Sequence, residues 1–163
     1  MNNVDLTSFV PLQNGYAKDK NYVYFGGKKI IGVDAPTFAF LGDWYSKDKN
    51  SVQYYDSGIF RKLTDADPSS FVILGYNYTK DKSSAYFVGF KLEPVDIDTF
   101  NIRGGYYAQD KFSIYYAGVK IVGADPATFV ELTYPYSKDR IAVYSGGVKI
   151  LNADPATFVV PTQ

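Results

Sequence analysis

Two series of aspartates recur along the chain at fixed spacing, and carboxylates so regularly placed are the first groups to test for chemistry. One series, Asp19, Asp48, Asp81, Asp110 and Asp139, sits in phrases such as Lys18-Asp19-Lys20. The other, Asp34, Asp67, Asp96, Asp125 and Asp154, stands four residues before a phenylalanine: Phe38, Phe71, Phe100, Phe129 and Phe158. Paired carboxylates can cleave glycosides, and clustered ones can hold calcium. Calcium wants several oxygen ligands and surplus negative charge, which flanking lysines oppose, so the Lys-Asp-Lys tips read as solvated turns. The second series reads as caps: in Asp125-Pro126 and Asp154-Pro155 the carboxylate accepts free N–H groups while proline takes the first position of one helical turn. What remains is Asp43, Asp56, Glu93 and Glu131, which share no motif. The chain has no histidine and no cysteine, which removes imidazole acid–base chemistry, histidine metal sites, thiol nucleophiles and disulfides. The expectation is a non-enzyme with no metal and no cofactor.

The aspartates repeat because the whole chain repeats. Tyr16, Tyr45, Tyr78, Tyr107 and Tyr136 open five copies of one phrase, fully written in Tyr107 to Phe129, and a half copy with Asp5 and Phe9 precedes them, so the sequence opens mid-repeat. A period in this range marks a repeat architecture in which one unit cannot bury its apolar face without a neighbour. The expected unit is three short antiparallel strands and one helical turn. In the first copy these are a strand from about Phe9 to Lys18 with a kink at Asn14 and Gly15, a second at Tyr22 to Phe25, a turn at Gly26-Gly27, and a third at Lys28 to Ile31. The fold class is therefore an all-β repeat, a single domain over residues 1–163, arranged as an open twisted stack. The alternative is a closed, propeller-like ring, against which three strands count, since a blade usually has four.

The phrase KDKNYVYF, followed by GGKKI and VDAPTF, resembles the bacterial DKNYY repeat family. The likeness covers nearly the whole chain and is strongest at Tyr16 to Phe38 and Tyr107 to Phe158. It departs at Gln53, Ser83, Ser84 and Ile97. The resemblance implies a bacterial protein and brings no catalytic residues with it.

Lysine and arginine balance aspartate and glutamate at 17 each, so the electrostatic footprint of a nucleic-acid binder is missing. No apolar run approaches the roughly 20 residues of a membrane span, and the first residues lack the pattern of a signal peptide. The expected chain is soluble, from the cytoplasm or a mature cell-envelope fragment.

Surface chemistry then carries the functional reading. Tyr24, Tyr86, Tyr115 and Tyr144 hold equivalent positions and would stack as a ladder, either binding repeats together or offering a platform for sugar rings or a protein. Copy two inserts four residues around Asp56, Ile59 and Phe60, and insertions in repeat proteins map to loops on one face. Trp44 is the only tryptophan and a candidate contact anchor. These eight residues are the candidate partner-binding set. The leading expectation is a non-catalytic protein-binding module, in its sharper form an immunity-type inhibitor that caps a bacterial toxin or effector. The alternatives are a cell-envelope glycan binder that uses the ladder and a structural spacer of a longer surface protein.

Overall fold

The computed structural model describes residues 4–161, which form twenty short strands and no helix. They make five antiparallel sheets of four strands each, in plain chain order. The first holds β1 (Val10–Pro11), β2 (Tyr16–Lys18), β3 (Val23–Phe25) and β4 (Lys28–Ile30), and the second β5 (Ala39–Gly42), β6 (Tyr45–Lys47), β7 (Val52–Asp56) and β8 (Ile59–Lys62). The third holds β9 (Val72–Gly75), β10 (Tyr78–Lys80), β11 (Ala85–Phe87) and β12 (Phe90–Lys91), and the fourth β13 (Asn101–Gly104), β14 (Tyr107–Gln109), β15 (Ile114–Tyr116) and β16 (Val119–Lys120). The fifth holds β17 (Val130–Glu131), β18 (Tyr136–Lys138), β19 (Val143–Ser145) and β20 (Val148–Lys149). Every sheet is open at both outer strands, so none closes into a barrel.

Three expectations are corrected. The unit has four strands, the number a propeller blade carries, because the residues after Phe9, Phe38, Phe71, Phe100 and Phe129 form a strand of their own. The segment expected as one strand from Phe9 to Lys18 is two, β1 and β2, paired across a turn in which Asn14 and Gly15 both have positive φ, 54° and 79°. The Asp-Pro-Ala-Thr-Phe segments are hydrogen-bonded turns rather than helix. In them Thr128 N–H donates to Asp125 O and Thr157 N–H to Asp154 O. Five residues are too few to nucleate a helix, and the phenylalanine must turn at once into the core.

The sequence motif and the packed unit are out of step, which explains why one copy cannot stand alone. In every copy the opening tyrosine packs on the closing phenylalanine of that copy, with ring centroids at 5.4 Å for Tyr16–Phe38, 5.6 Å for Tyr45–Phe71 and 5.4 Å for Tyr107–Phe129. The phenylalanine also meets the ladder tyrosine of the next copy, as in Phe129–Tyr144 at 6.0 Å. One core cluster accordingly joins Tyr107, Ile114, Ile121 and Phe129 of copy four to Ala142 and Tyr144 of copy five. Such aromatic pairs add about 0.5–1.5 kcal/mol each beyond area burial.

The Lys-Asp-Lys aspartates are not solvated, a fourth correction. All five are buried, and each accepts the backbone N–H of the second-series aspartate in the preceding copy, at 3.0 Å for Asp5 to Asp19, 2.8 Å for Asp34 to Asp48 and 2.8 Å for Asp125 to Asp139. The basic residue that follows closes the joint from outside, with ion pairs Lys49–Asp34 at 3.0 Å, Lys111–Asp96 at 2.8 Å and Arg140–Asp125 at 3.0 Å. Its backbone N–H also donates to the hydroxyl of the preceding copy, Lys49 to Thr37 at 3.0 Å. These joints put each recurrent polar side chain to structural use.

The chain falls into two compact units, one of residues up to Ile73 with Lys80–Ser83, the other of Leu74–Thr79 with the residues from Ser84 onward. The first has its core at Tyr16, Val23, Ile30, Ala35 and Phe38. The second contains the cluster of Tyr107 and Ile114 and another around Tyr78, Ala85, Leu92, Phe100, Ala108 and Tyr115.

Candidate functional site

The ladder tyrosines are core residues. Tyr24, Tyr86, Tyr115 and Tyr144 are each at most 2% exposed, so they present no platform to a sugar or a protein. The Tyr24 hydroxyl donates to Asp19 at 2.7 Å and the Tyr144 hydroxyl to Asp139 at 2.9 Å, while the Tyr115 hydroxyl lies between Pro94 O at 2.5 Å and Asp110 at 3.0 Å. Burial, together with the adjacent carboxylate, pushes the Tyr24 phenol up to about 12. Burial alone would raise the Asp19 carboxyl, but hydrogen bonds from Asp5 N–H, Tyr24 O–H, Asn21 N–H and Tyr22 N–H outweigh it and hold it well below the usual range. A carboxylate fixed by so many donors is a structural pin, since proton transfer would break the joint.

Copy two breaks the ladder at Gln53, and the consequences run outward to the surface. Gln53 cannot reach Asp48 as tyrosine does, and a relay replaces it: Gln53 Nε2 donates to Ser51 Oγ at 2.6 Å and Ser51 Oγ to Asp48 Oδ1 at 3.2 Å. Gln53 Oε1 in turn accepts Ser46 Oγ–H at 3.3 Å. In copy five the equivalent serine, Ser137, bonds instead to Tyr107 Oη of copy four at 3.0 Å. Tyr16, the counterpart of Tyr107, has its buried hydroxyl near Ser46 but outside ordinary hydrogen-bond geometry.

Above this point the surface opens into a cleft of about 440 Å³, lined by Asn14, Tyr16, Phe25, Phe40, Asp43 and Trp44. That volume lies within the range of about 300–1,000 Å³ typical of ligand sites. The strands place its walls from two copies: Tyr16 on β2 and Phe25 on β3, paired across the first sheet, and Phe40 on β5 with Asp43 and Trp44 in the turn to β6. Tyr16 and Phe25 lie 4.8 Å apart, and Tyr16 and Phe40 5.3 Å. Trp44 is 55% exposed and tilts over Tyr55 at 5.9 Å.

The turn that carries Trp44 is strained. Asp43 and Trp44 have φ of 46° and 69°, a left-handed pair that costs about 1–2 kcal/mol per ordinary L-residue. Copies one and three put Gly15 and Asn77 where Trp44 stands, residues suited to that conformation, whereas copies four and five put Tyr106 and Pro135 there. Copy three carries a second bulky, exposed side chain in the same turn, Tyr76 at φ 49°.

The insertion in copy two serves the same cleft. It lengthens the hairpin so that Tyr55 faces Phe60 and Asp56 faces Ile59 across β7 and β8. Phe60 is half-buried behind the cleft, edge-on to Phe25 at 5.5 Å and near Tyr16 at 6.1 Å, with Tyr55 against Phe25 at 4.7 Å. Ile59 is exposed at the hairpin end. Asp56 is engaged by Arg61 at 3.2 Å. The structure thus gathers Trp44 and Phe60 into one aromatic patch through Tyr55, and separates the four ladder tyrosines from it by burial. Sequence reasoning missed Tyr16, Phe25, Phe40 and Asp43. Phe40 carried a signal, since the other copies have Pro11, Ile73, Ile102 and Glu131 there.

A second cleft, of about 320 Å³, is lined by Lys138, Asp139, Arg140 and neighbours. Its polar groups are spoken for: Lys138 Nζ donates to Pro155 O at 2.8 Å, Arg140 pairs with Asp125, and Asp139 is a buried pin. Among the described residues no cluster of three or more acidic, histidine or cysteine side chains could hold a metal ion. Among the described residues no helix is long and apolar enough to cross a membrane.

Fold and surface together define an all-β repeat protein whose units are four-stranded meanders joined by aspartate pins. Comparison with known families places it further: the DKNYY family model matches residues 1–58, 56–119 and 107–162, and the chain belongs to the DKNYY family. No curated protein and no solved structure matches it.

Proposed function

We propose that this chain is a non-catalytic protein-binding module whose contact face is the aromatic cleft around Trp44, and that it acts as an immunity-type inhibitor capping a bacterial toxin or effector. The observation that carries this reading is Trp44 itself, exposed at φ 69° on the lip of a cleft of ligand size. Tryptophan set against a half-buried aromatic patch is the usual make-up of a binding hot spot. The absence of catalysis is argued from the carboxylates: both aspartate series are consumed in joints between copies. The inhibitor form rests on analogy, since a rigid and chemically inert scaffold suits a cap.

The test compares the wild-type protein with Trp44→Asn, both immobilised against extract of the source bacterium. Asparagine occupies the same turn position at Asn77 with φ 65°, so the variant should melt no lower than wild type. The expected result is one protein retained in near-equal amount by wild type and lost with the variant. Equal retention by both, or recovery of glycan alone, would overturn the reading.

A further inference from the structure

Resting on that reading, we infer that the cleft around Trp44 receives an arginine side chain of the partner, held over the aromatic faces with its guanidinium against Asp43. Four of the six residues lining the cleft are aromatic: Trp44 exposed, Phe25 and Phe40 half-buried, and Tyr16 buried at the floor. Ring faces are the negative ends of their quadrupoles and attract a cation within about 6 Å. Asp43 lines the same cleft. It is exposed and makes no hydrogen bond or ion pair, unlike Asp56 nearby, which Arg61 engages. The cleft therefore offers a cation both halves of a binding site, an aromatic wall and an unspent carboxylate, and no lysine or arginine of the chain lines it.

The chain builds this arrangement elsewhere for its own use. In copy four Arg103 lies over the Phe129 ring at 5.7 Å while its Nε pairs with Glu131 at 3.2 Å and an Nη donates to Phe129 O at 3.0 Å. Phe129 and Glu131 stand where copy one has Phe38 and Phe40. At the Trp44 cleft the ring and the carboxylate come from other positions of the unit, Phe40 standing where Glu131 does and Asp43 three residues further on, and no guanidinium of the chain lines it. Arginine is favoured over lysine because the guanidinium is planar, stacks on rings, loses its hydration more readily and pairs with a carboxylate through two N–H groups.

Trp44, the sole tryptophan, reports directly. The full chain would be titrated with a short blocked Gly-Arg-Gly peptide, its lysine counterpart, and the citrulline peptide, which keeps the shape of arginine and lacks the charge. The expected result is a saturable change in Trp44 fluorescence with arginine in the millimolar range, several-fold weaker with lysine and absent with citrulline. Asp43→Asn, which keeps a residue tolerant of positive φ, should weaken arginine about two- to fivefold. Equal binding of arginine and citrulline, no saturation with any peptide, or no effect of Asp43→Asn would overturn the inference. Retention of a partner by wild type but not Trp44→Asn, alongside such a result, would leave the protein-binding reading standing. Selective arginine binding with no protein retained would sink that reading and keep the cleft's chemistry.

Discussion

The junction between copies one and two and the junctions inside the second compact unit solve one packing problem in opposite ways. In the second unit a glycine hairpin of one copy presses on the aromatic ring of the copy before it: a Cβ added at Gly118 would lie 2.7 Å from Phe87 Cβ, and one at Gly147 2.7 Å from Tyr116 Cβ. Only the absence of a side chain permits that approach. At the first junction four inserted residues move the hairpin tip outward, and a Cβ at Gly58 would meet nothing within 4 Å. Tyr55 and Phe60 then cover Phe25 instead, at 4.7 and 5.5 Å. The regular junctions are closed by glycine, while the variant junction is closed by rings and carries the cleft. The repeat thus tolerates a different closure at one joint while the others keep the glycine contact.

What the two regions share is the aspartate pin, so pH should act on both and have the largest effect. Asp5, through its ion pair and hydrogen bond with Lys20, is lowered to about 2. Asp34, Asp67 and Asp96 are lowered chiefly by threonine, serine and lysine partners. In Asp139 hydrogen bonds outweigh the opposing effect of burial. A carboxylate with a depressed folded pKa stabilises fully above its unfolded value of 3.8 and ceases to as pH falls through the depressed one. Urea midpoints should therefore hold above about pH 5 and collapse from about pH 4 towards pH 2. At the alkaline end the signs reverse: burial raises Tyr78 and Tyr115 to about 12, so stability is present below about pH 10 and lost as pH rises towards 12, with tyrosinate absorbance appearing at unfolding. A protein equally stable at pH 7 and pH 2.5 would remove the pins as a shared support.

Glycine substitution should then separate the regions. Gly147→Ala forces a methyl group into the Tyr116 ring at φ 77° and should cost about 2–4 kcal/mol. Gly58→Ala meets open space and should cost about 1–2 kcal/mol, from the backbone alone. Equal losses in urea unfolding would show that close approach does not distinguish the junctions. The smallest effect is expected at Gln53. Gln53→Tyr restores the tyrosine of the ladder and frees Ser46 for the unpartnered Tyr16 hydroxyl, a gain of about 1 kcal/mol. A lower urea midpoint would mean that the Ser51 relay is the better solution at that site.

Much of the fold was legible because it repeats. Period and strand-rich class follow from the spacing of Tyr107 and Phe129 and their counterparts, as does the family. The fourth strand was not legible, because it is short everywhere, two residues in β1 and β17 and four in β5, β9 and β13, and runs of this length ending on glycine carry no sustained alternation. Trp44 and Phe60 stood out as departures from the motif. Tyr16 and Phe25 could not, since they conform to it and differ only in what surrounds them.

The sequence by itself determined that the units are alike, that each needs its neighbour, and that histidine and cysteine chemistry are missing, because composition and period do not depend on how the chain packs. Tertiary structure decided which side of each motif faces inward. A tyrosine has an apolar body and a polar tip and can serve as core or as surface. Only the placement of Asp19, Asp110 and Asp139 beneath their tyrosines made the ladder core. Only the longer hairpin of copy two, packed against Phe25, left an aromatic cleft open beside Asp43 and Trp44.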